Sequence, residues 1–321
     1  MNIDINKIKL WSSIGSRATF GLVALELVKK NNNLIFITAD VSTSAGLDRL
    51  KKKFPENYID VGIGEQNMMS VASGLASEGF NVFTTTFSPF QTFRCAEQIK
   101  VNLGYMKNKV VMVGLASGLV LGNLGFTHCS IEDIGVLRSI PNLTIISPSD
   151  SLETAKAVEA SMNYHESVYI RLTGGSNNPI VNSIDYQFEI GKARILKEGK
   201  DILIISNGMM VKKSLEISDE LQKKDMDVSI LNMHTIKPLD TNTLDKMMKK
   251  YKYCFCIEEH NIYGGLGSAL SEYLAQSNLD IKFRTFGIKD KYIKSGSYNY
   301  LLKEYGLDNE TIVKEIINTI S

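Results

Sequence analysis

DVGIGEQNMMSVASGLASEGFNVFTTTFSPFQTF, residues 60–93, is the stretch that decides the fold of this chain. Glu65 follows a Gly-Ile-Gly turn and opens a helix of apolar and small residues, which leads into a short strand rich in threonine. Phe87, Phe90 and Phe93 then follow at i, i+3 and i+6. Strands and helices that alternate in this way are typical of an α/β sheet.

The same stretch contains groups that can hold a flat heteroaromatic ring. The Glu65 carboxylate can hydrogen-bond a ring nitrogen, and phenylalanines can stack on the ring face. Both features also have a purely structural explanation. A glutamate in the first turn of a helix favours the helix dipole, and apolar residues three apart usually form one buried face. The order of the motifs along the whole chain favours the binding explanation.

Length and composition indicate a soluble globular protein of two domains. The chain has 321 residues, of which 44% are hydrophobic and 22% are charged. Its formal net charge is only +1, which gives no global electrostatic reason to expect nucleic acid or a membrane as a partner. The most apolar run, residues 110–126, contains four glycines and is interpreted as a buried strand and loop.

The cysteines and the N-terminal sequence predict a cytoplasmic location. The N-terminus, MNIDINKIKLW, lacks the apolar core of a signal peptide. Scattered free thiols fit a reducing compartment, and none has the CxxC spacing of a zinc or redox motif. The four cysteines are Cys95, Cys129, Cys254 and Cys256.

Both halves of the chain alternate strand and helix patterns, so we predict an α/β protein of two domains, each a mainly parallel sheet flanked by helices. A stretch rich in glycine, asparagine and serine, residues 174–191, lacks periodicity and separates the halves. We place the first domain at residues 1–178, the linker at 179–191 and the second domain at 192–321.

Polar residues follow several predicted strands, where ligands of open α/β sheets gather. Asp40 and Ser44 come after one buried strand, and His128 closes the glycine-rich loop after another. Arg171 ends a third strand. Helix caps, turns or an inert packed histidine would also explain residues of these types at such places.

Five motifs follow one another along the chain: Gly62-Ile63-Gly64-Glu65-Gln66, Thr86-Phe87 with Phe90 and Phe93, Gly125-Phe126-Thr127-His128, Leu137 to Asn142, and Glu258 to Ser268. In this order they resemble the C-terminal half of a transketolase, and the resemblance covers nearly the whole chain. It implies a pyrimidine-binding domain followed by a transketolase C-terminal domain.

The resemblance implies a dependence on thiamine diphosphate. Glu65 would hydrogen-bond the aminopyrimidine ring and so favour loss of the thiazolium carbon proton. Phe87, Phe90 and Phe93 would form the pocket for that ring, and Asp40 would lie near the cofactor. The reaction would then pass a two-carbon ketol unit from a ketose, or ketose phosphate, to an aldose.

Further residues would contact the sugar. His128 would bind substrate oxygens or assist proton transfer. Arg17, Ser44 and Arg171 match family residues that hold the sugar phosphate. Arginine suits this role because its planar fork donates two hydrogen bonds at once.

The sequence also departs from the family pattern. Leu124 replaces an aspartate that contacts a substrate hydroxyl, and Ala116 stands near the place of a histidine. Phe93 replaces a tyrosine, and Gln66 replaces the histidine of many members. Because the cofactor-activating Glu65 is retained while residues that would read the sugar are altered, we expect a modified or unusual sugar substrate.

The diphosphate half of such an enzyme is missing, since the sequence has no Gly-Asp-Gly followed by an asparagine. The resemblance therefore implies a split enzyme. A partner chain, the N-terminal section of a transketolase, would hold the diphosphate and its Mg²⁺ (or Ca²⁺), and this chain would hold no metal of its own. We expect an active site between chains in an α2β2 assembly.

Three other interpretations remain open. The chain also resembles the beta subunit of a 2-oxoacid dehydrogenase decarboxylase component, although its phenylalanine spacing and Thr127-His128 loop favour transketolase. Deoxyxylulose-phosphate synthase is related too, but is normally one long chain. A subunit that stabilises its partner without catalysis is the alternative outside enzymes, and Glu65 argues against it.

Overall fold

The computed structural model describes residues 3–320, so the predicted domain ends at residues 1–2 and 321 lie outside the described part. The helices are α1 (Ile5–Val28), α2 (Asp48–Lys53), α3 (Glu65–Ser77), α4 (Ser88–Thr92), α5 (Ala96–Gln98), α6 (Asp133–Arg138), α7 (Ser151–Met162), α8 (Met210–Gln222), α9 (Thr241–Met248), α10 (Leu266–Ala275), α11 (Tyr298–Glu304) and α12 (Asn309–Ile320). The strands are β1 (Leu34–Thr38), β2 (Tyr58–Asp60), β3 (Asn81–Phe87), β4 (Val110–Leu115), β5 (Leu143–Ile146), β6 (Ser167–Arg171), β7 (Arg194–Lys197), β8 (Ile202–Ser206), β9 (Val228–Asn232), β10 (Thr235–Lys237), β11 (Tyr253–Asn261) and β12 (Lys282–Ile288).

The first sheet has seven strands in the order β10-β5-β6-β4-β3-β1-β2. All strands from the first half of the chain pair in parallel. Strands β1, β4, β5 and β6 are buried along their whole length, as their continuous apolar runs predict. The second sheet has five strands in the order β12-β11-β8-β9-β7, with only the edge strand β7 antiparallel. Two mainly parallel sheets flanked by helices confirm the predicted α/β class.

The two sheets are joined more closely than the sequence predicts. Strand β10 belongs to the second half of the chain but pairs antiparallel with β5 at the edge of the first sheet. One apolar core also runs through both halves, since Ile145 of the first sheet and Leu231 of the second belong to the same buried cluster. Residues 179–191, predicted as a linker, contain no helix or strand.

Helix α1 bends at Gly15, where φ is 82°. An added Cβ at Gly15 would lie 2.0 Å from the carbonyl oxygen of Gly175, so only glycine allows this close approach. The chain after Pro89 does not form one continuous helix. Helices α4 and α5 are followed by a π-helical stretch, Ile99–Tyr105. The break places Arg94 between α4 and α5.

Within residues 3–320, every helix is too short or too polar to span a lipid bilayer. All four cysteines are buried and unpaired.

Candidate active site

Glu65 is the first residue of α3, directly after the turn that ends β2. Gly62 has φ of 69°, which favours glycine, and its N–H donates to the Asp60 carboxylate at 3.1 Å. The Glu65 side chain is only 4% exposed. Glu65 is therefore a buried carboxylate at the start of a helix, as the sequence predicts, and it lies beyond the carboxyl end of a parallel strand.

Arg94 lies beside the two central predicted residues, Glu65 and Phe90, although the sequence analysis did not identify it. Its Nη1 donates to Oε1 of Glu65 at 2.7 Å, and its Cζ lies 4.2 Å from the ring centroid of Phe90. The signal that could have revealed it is the arginine directly after the Phe87–Phe93 series. An arginine beside an aromatic series commonly stacks on it.

The structure brings the predicted aromatic residues and His128 together. The rings of Phe87 and Phe90 meet edge to face at 6.4 Å, and the imidazole of His128 lies 5.2 Å from Phe90 and 6.2 Å from Phe87. Phe93 is 49% exposed at the opening of the site. His128 is half-buried, and its Nδ1 lies 3.0 Å from the Thr127 hydroxyl. The histidine is thus placed to meet a ligand held against the phenylalanines.

These residues open onto a cleft of about 880 Å³ between the two domains. The first domain contributes the α4 region and the glycine-rich loop, while the second contributes the last residue of β11 and residues after β12. The lining residues are Pro89, Phe90, Phe93, Arg94, Phe126, Thr127, Cys129, Glu132, Asn261, Asp290, Lys291 and Tyr292.

Asp40 lies on an exposed turn beyond β1 rather than in the wall of this cleft. Its φ is 57°, and its N–H donates to Oδ1 of Asp60 at 2.9 Å. Burial raises the pKa of the Asp60 carboxyl, but hydrogen bonds from the Asp40 N–H, the Tyr58 hydroxyl and the Gly62 N–H outweigh burial and lower it overall. Asp60, which the sequence analysis did not identify, is therefore ionised. Its carboxylate holds the turn after β1 and the turn before Glu65 through these hydrogen bonds.

Arg17 and Ser44 lie on neighbouring segments. The loop that carries Ser44 packs on α1, because an added Cβ at Gly46 would lie 3.4 Å from the carbonyl oxygen of Arg17. Arg17 is half-buried, burial lowers its pKa, and no residue among 3–320 pairs with its guanidinium. A cation whose donors are unused by the described residues is suited to an anion.

The expectation for Arg171 is wrong. Its side chain is 1% exposed, and its Nε donates to Oδ2 of Asp133 at 2.8 Å. Its Nη2 donates to the carbonyl oxygens of Ser130 and Glu259, at 2.9 and 3.0 Å. A guanidinium buried and occupied in this way cannot reach a sugar phosphate, so Arg171 links the domains instead.

The segment around Glu259 holds the glycine-rich loop of the first domain. Glu259 Oε1 accepts the N–H of Leu119 at 2.6 Å, and Oε2 accepts the Tyr298 hydroxyl at 2.8 Å. Burial raises the pKa of Glu259. Glu258 caps α10 by accepting the N–H groups of Leu266 and Gly267, which explains the Gly-rich sequence there as close packing.

Leu124 and Ala116, two of the positions that depart from the family pattern, lie in different surroundings. Leu124 and Phe126 are each 57% exposed, and the ring of Phe126 lies 5.4 Å from that of Tyr292 in the second domain. Ala116 is fully buried with φ of 54°, so its methyl group is not part of the exposed surface. Within residues 3–320, no cluster of His, Cys, Asp or Glu side chains has the arrangement of a metal site.

Comparison with known proteins matches both halves of the chain. Residues 12–178 match the family described as "Transketolase, pyrimidine binding domain", and residues 191–312 match "Transketolase, C-terminal domain". A protein of Methanocaldococcus jannaschii, provisionally named a transketolase C-terminal section, is 37% identical over 94% of this chain and 95% of its own length.

Two relatives have named substrates. One component of the apulose-4-phosphate transketolase of Phocaeicola vulgatus is 32% identical, over 96% of this chain and 98% of the relative. A component of the 6-deoxy-6-sulfo-D-fructose transketolase of Clostridium sp. (strain MSTE9) is 33% identical, over 93% of this chain and 92% of the relative. A solved structure, "Split gene transketolase, inactive beta4 tetramer", has a TM-score of 0.88 and 32% identity, with 95% of this chain and 98% of that chain covered.

Proposed function

Because the chain belongs to the transketolase family, we propose that it is the C-terminal subunit of a split transketolase that transfers a two-carbon ketol unit from a ketose to an aldose. The observation that carries this proposal is the buried carboxylate of Glu65 beside the Phe87, Phe90 and His128 group. Relatives of similar length are themselves subunits of transketolases, which supports the split.

The residues around Glu65 fit the aminopyrimidine of thiamine diphosphate. The guanidinium of Arg94 shows that a flat cationic group can bond Glu65 and stack on Phe90 at the same time. When bound, thiamine diphosphate supplies a carbanion and an electron sink for cleavage of a carbon-carbon bond. Glu65 would hold the ring nitrogen, Phe87 and Phe90 would hold the ring faces, and Phe93 would close the pocket.

His128 and Arg17 would act on the sugar. The imidazole of His128 would exchange a proton with, or donate a hydrogen bond to, a substrate oxygen beside the phenylalanines. Arg17, whose donors are free among the described residues, would bind a sugar phosphate together with Ser44. Asp40 would lie near the cofactor from the turn beyond β1.

The remaining ligands would come from a partner chain. An N-terminal-section transketolase subunit would hold the diphosphate and its Mg²⁺ or Ca²⁺, and two copies of each chain would form an α2β2 assembly. Buried free thiols favour a reducing compartment, so we place the assembly in the cytoplasm. The exposed Leu124 and Phe126 favour a modified sugar or sugar phosphate over an ordinary pentose phosphate.

Reconstitution with the partner chain tests the proposal. We expect ketol transfer between sugar phosphates only when both chains, thiamine diphosphate and Mg²⁺ are present. Decarboxylation of pyruvate without ketol transfer would favour the 2-oxoacid dehydrogenase alternative, and condensation of pyruvate with an aldose phosphate would indicate deoxyxylulose-phosphate synthase chemistry. Full activity of this chain alone would contradict the split.

A further inference from the structure

The contact between Arg94 and Glu65 carries an inference beyond the function proposed above. The guanidinium donates from Nη1 to Oε1 of Glu65 at 2.7 Å. The same planar group lies over the ring of Phe90, with Cζ 4.2 Å from the centroid. These are the two kinds of contact that the aminopyrimidine of the cofactor is expected to make, a hydrogen bond to the carboxylate and stacking on the aromatic wall.

Arginine is the side chain best suited to imitate such a ring. Its guanidinium is flat, delocalised and weakly hydrated, so it stacks on aromatic faces while its N–H groups bond a carboxylate in the plane. A lysine ammonium would form the ion pair but has no flat surface to stack. The pair also relieves the cost of a buried, unpaired carboxylate in the chain alone.

We propose, on the basis of the function proposed above, that Arg94 occupies the binding position of the pyrimidine ring in the unassembled subunit. Its side chain must move away before the cofactor ring can bind. Glu65 stays in place, because it is 4% exposed and fixed in the first turn of α3. Arg94 is the mobile partner, because it is 44% exposed and opens onto the cleft of about 880 Å³.

The exchange makes cofactor binding depend on assembly. In the lone chain the pyrimidine would have to replace an existing ion pair without help from the diphosphate ligands of the partner. In the assembly, diphosphate and metal binding contribute the free energy that displaces Arg94. Arg94 is thus a positioning residue that disfavours premature loading and keeps Glu65 paired until the partner arrives.

Calorimetric titration of the reconstituted assembly with thiamine diphosphate and Mg²⁺ tests the exchange. We expect Arg94→Gln to lower the Kd about three- to tenfold, because the half-exposed guanidinium of Arg94 no longer competes with the ring for Glu65. Arg94→Lys, which keeps the charge without the planar surface, should fall between Arg94→Gln and the wild type. Arg284→Gln is the matched control, since Arg284 is also 44% exposed, pairs with Glu315 at 2.6 Å and lies over Phe286.

The outcomes separate this inference from the function on which it rests. A Kd that is unchanged or higher in Arg94→Gln, with Glu65→Gln still weakening binding, would overturn the exchange alone and would show that Arg94 supports the bound ring. If the wild-type assembly binds no thiamine diphosphate, the proposed function fails and the exchange fails with it. A crystal structure of the loaded assembly with Arg94 still on Glu65 would also overturn it.

Discussion

Arg171 and Asp133 form an ion pair in the interior of the protein, with Nε 2.8 Å from Oδ2 and side chains 1% and 0% exposed. The pair lies where the domains meet, because Arg171 also donates to the carbonyl oxygen of Glu259. The Tyr169 hydroxyl donates to the same Asp133 carboxylate at 2.8 Å. Coulombic attraction to Asp133 outweighs burial and raises the pKa of Arg171, so the guanidinium remains charged.

Arg171→Met should therefore destabilise the fold without changing recognition of phosphate. We expect a loss of about 3–5 kcal/mol in the free energy of unfolding, because the variant leaves the Asp133 carboxylate buried without its cation. Urea denaturation followed by circular dichroism measures this loss, and Arg171→Met/Asp133→Asn should recover part of it. The exposed Arg284→Gln variant should change stability by less than about 1 kcal/mol. A stable Arg171→Met protein with a raised KM only for phosphorylated sugars would restore the phosphate role.

Glu65→Gln should abolish most turnover of the reconstituted enzyme. The amide keeps the shape of the side chain but cannot share the charge and proton of a carboxylate with the ring nitrogen, so we expect kcat to fall about a hundred- to ten-thousand-fold. The measurement is the rate of ketol transfer at saturating cofactor. Glu78→Gln, at the exposed C-terminal end of the same helix, is the control and should retain activity. Normal activity of Glu65→Gln would favour the non-catalytic subunit instead.

The fold and the centre of the site could be predicted because local sequence patterns determine them. Continuous apolar runs fixed the parallel strands, and the turn before Glu65 fixed its place at the start of a helix. Strand β10 could not be predicted, because three residues are too few for a period and their partner lies far away in the chain. The role of Arg171 was missed because a position after a strand does not show whether a side chain points to solvent or into the interior.

Arg17→Gln should weaken binding of phosphorylated sugars alone. Arg17 is half-buried without a partner among residues 3–320, so its donors are available to an anion. A lost charged hydrogen bond of about 1.5–3 kcal/mol corresponds to a KM about ten- to a hundredfold higher. Steady-state kinetics with phosphorylated and unphosphorylated acceptors tests this prediction. The KM for the unphosphorylated acceptor should change little, and so should kcat. An equal loss with both acceptors would contradict a phosphate role for Arg17.

Phe90→Leu should weaken cofactor binding more than Phe93→Leu. Phe90 contacts Phe87, His128 and Arg94, whereas Phe93 is 49% exposed at the opening. Loss of aromatic stacking of about 0.5–1.5 kcal/mol predicts a Kd for thiamine diphosphate about two- to tenfold higher in Phe90→Leu. Calorimetry on the assembly measures both variants. A larger effect of Phe93→Leu would place the ring closer to the opening than we propose.

Glu258 should make stability fall as the pH rises. Burial raises its pKa from 4.5 to about 7, and hydrogen bonds from the N–H groups of Gly267 and Leu266 offset only part of this effect. Between these values the folded protein keeps a proton that the unfolded chain has lost, so the free energy of unfolding decreases with pH in that window. Below it, both states are protonated and the slope disappears.

Urea denaturation of Glu258→Gln at a series of pH values tests this sign. The variant should gain stability relative to the wild type by on the order of 3 kcal/mol across the window, since one pKa unit corresponds to about 1.4 kcal/mol. The quantity to compare is the difference in free energy of unfolding between the variant and the wild type at each pH. Burial lowers the pKa of His260 from 6.5 to about 4, which gives a slope of opposite sign that the subtraction removes. Glu56→Gln, an exposed control, should show no such change of the stability difference with pH. If the stability difference between Glu258→Gln and the wild type did not change with pH, Glu258 would be ionised in the folded protein throughout the window.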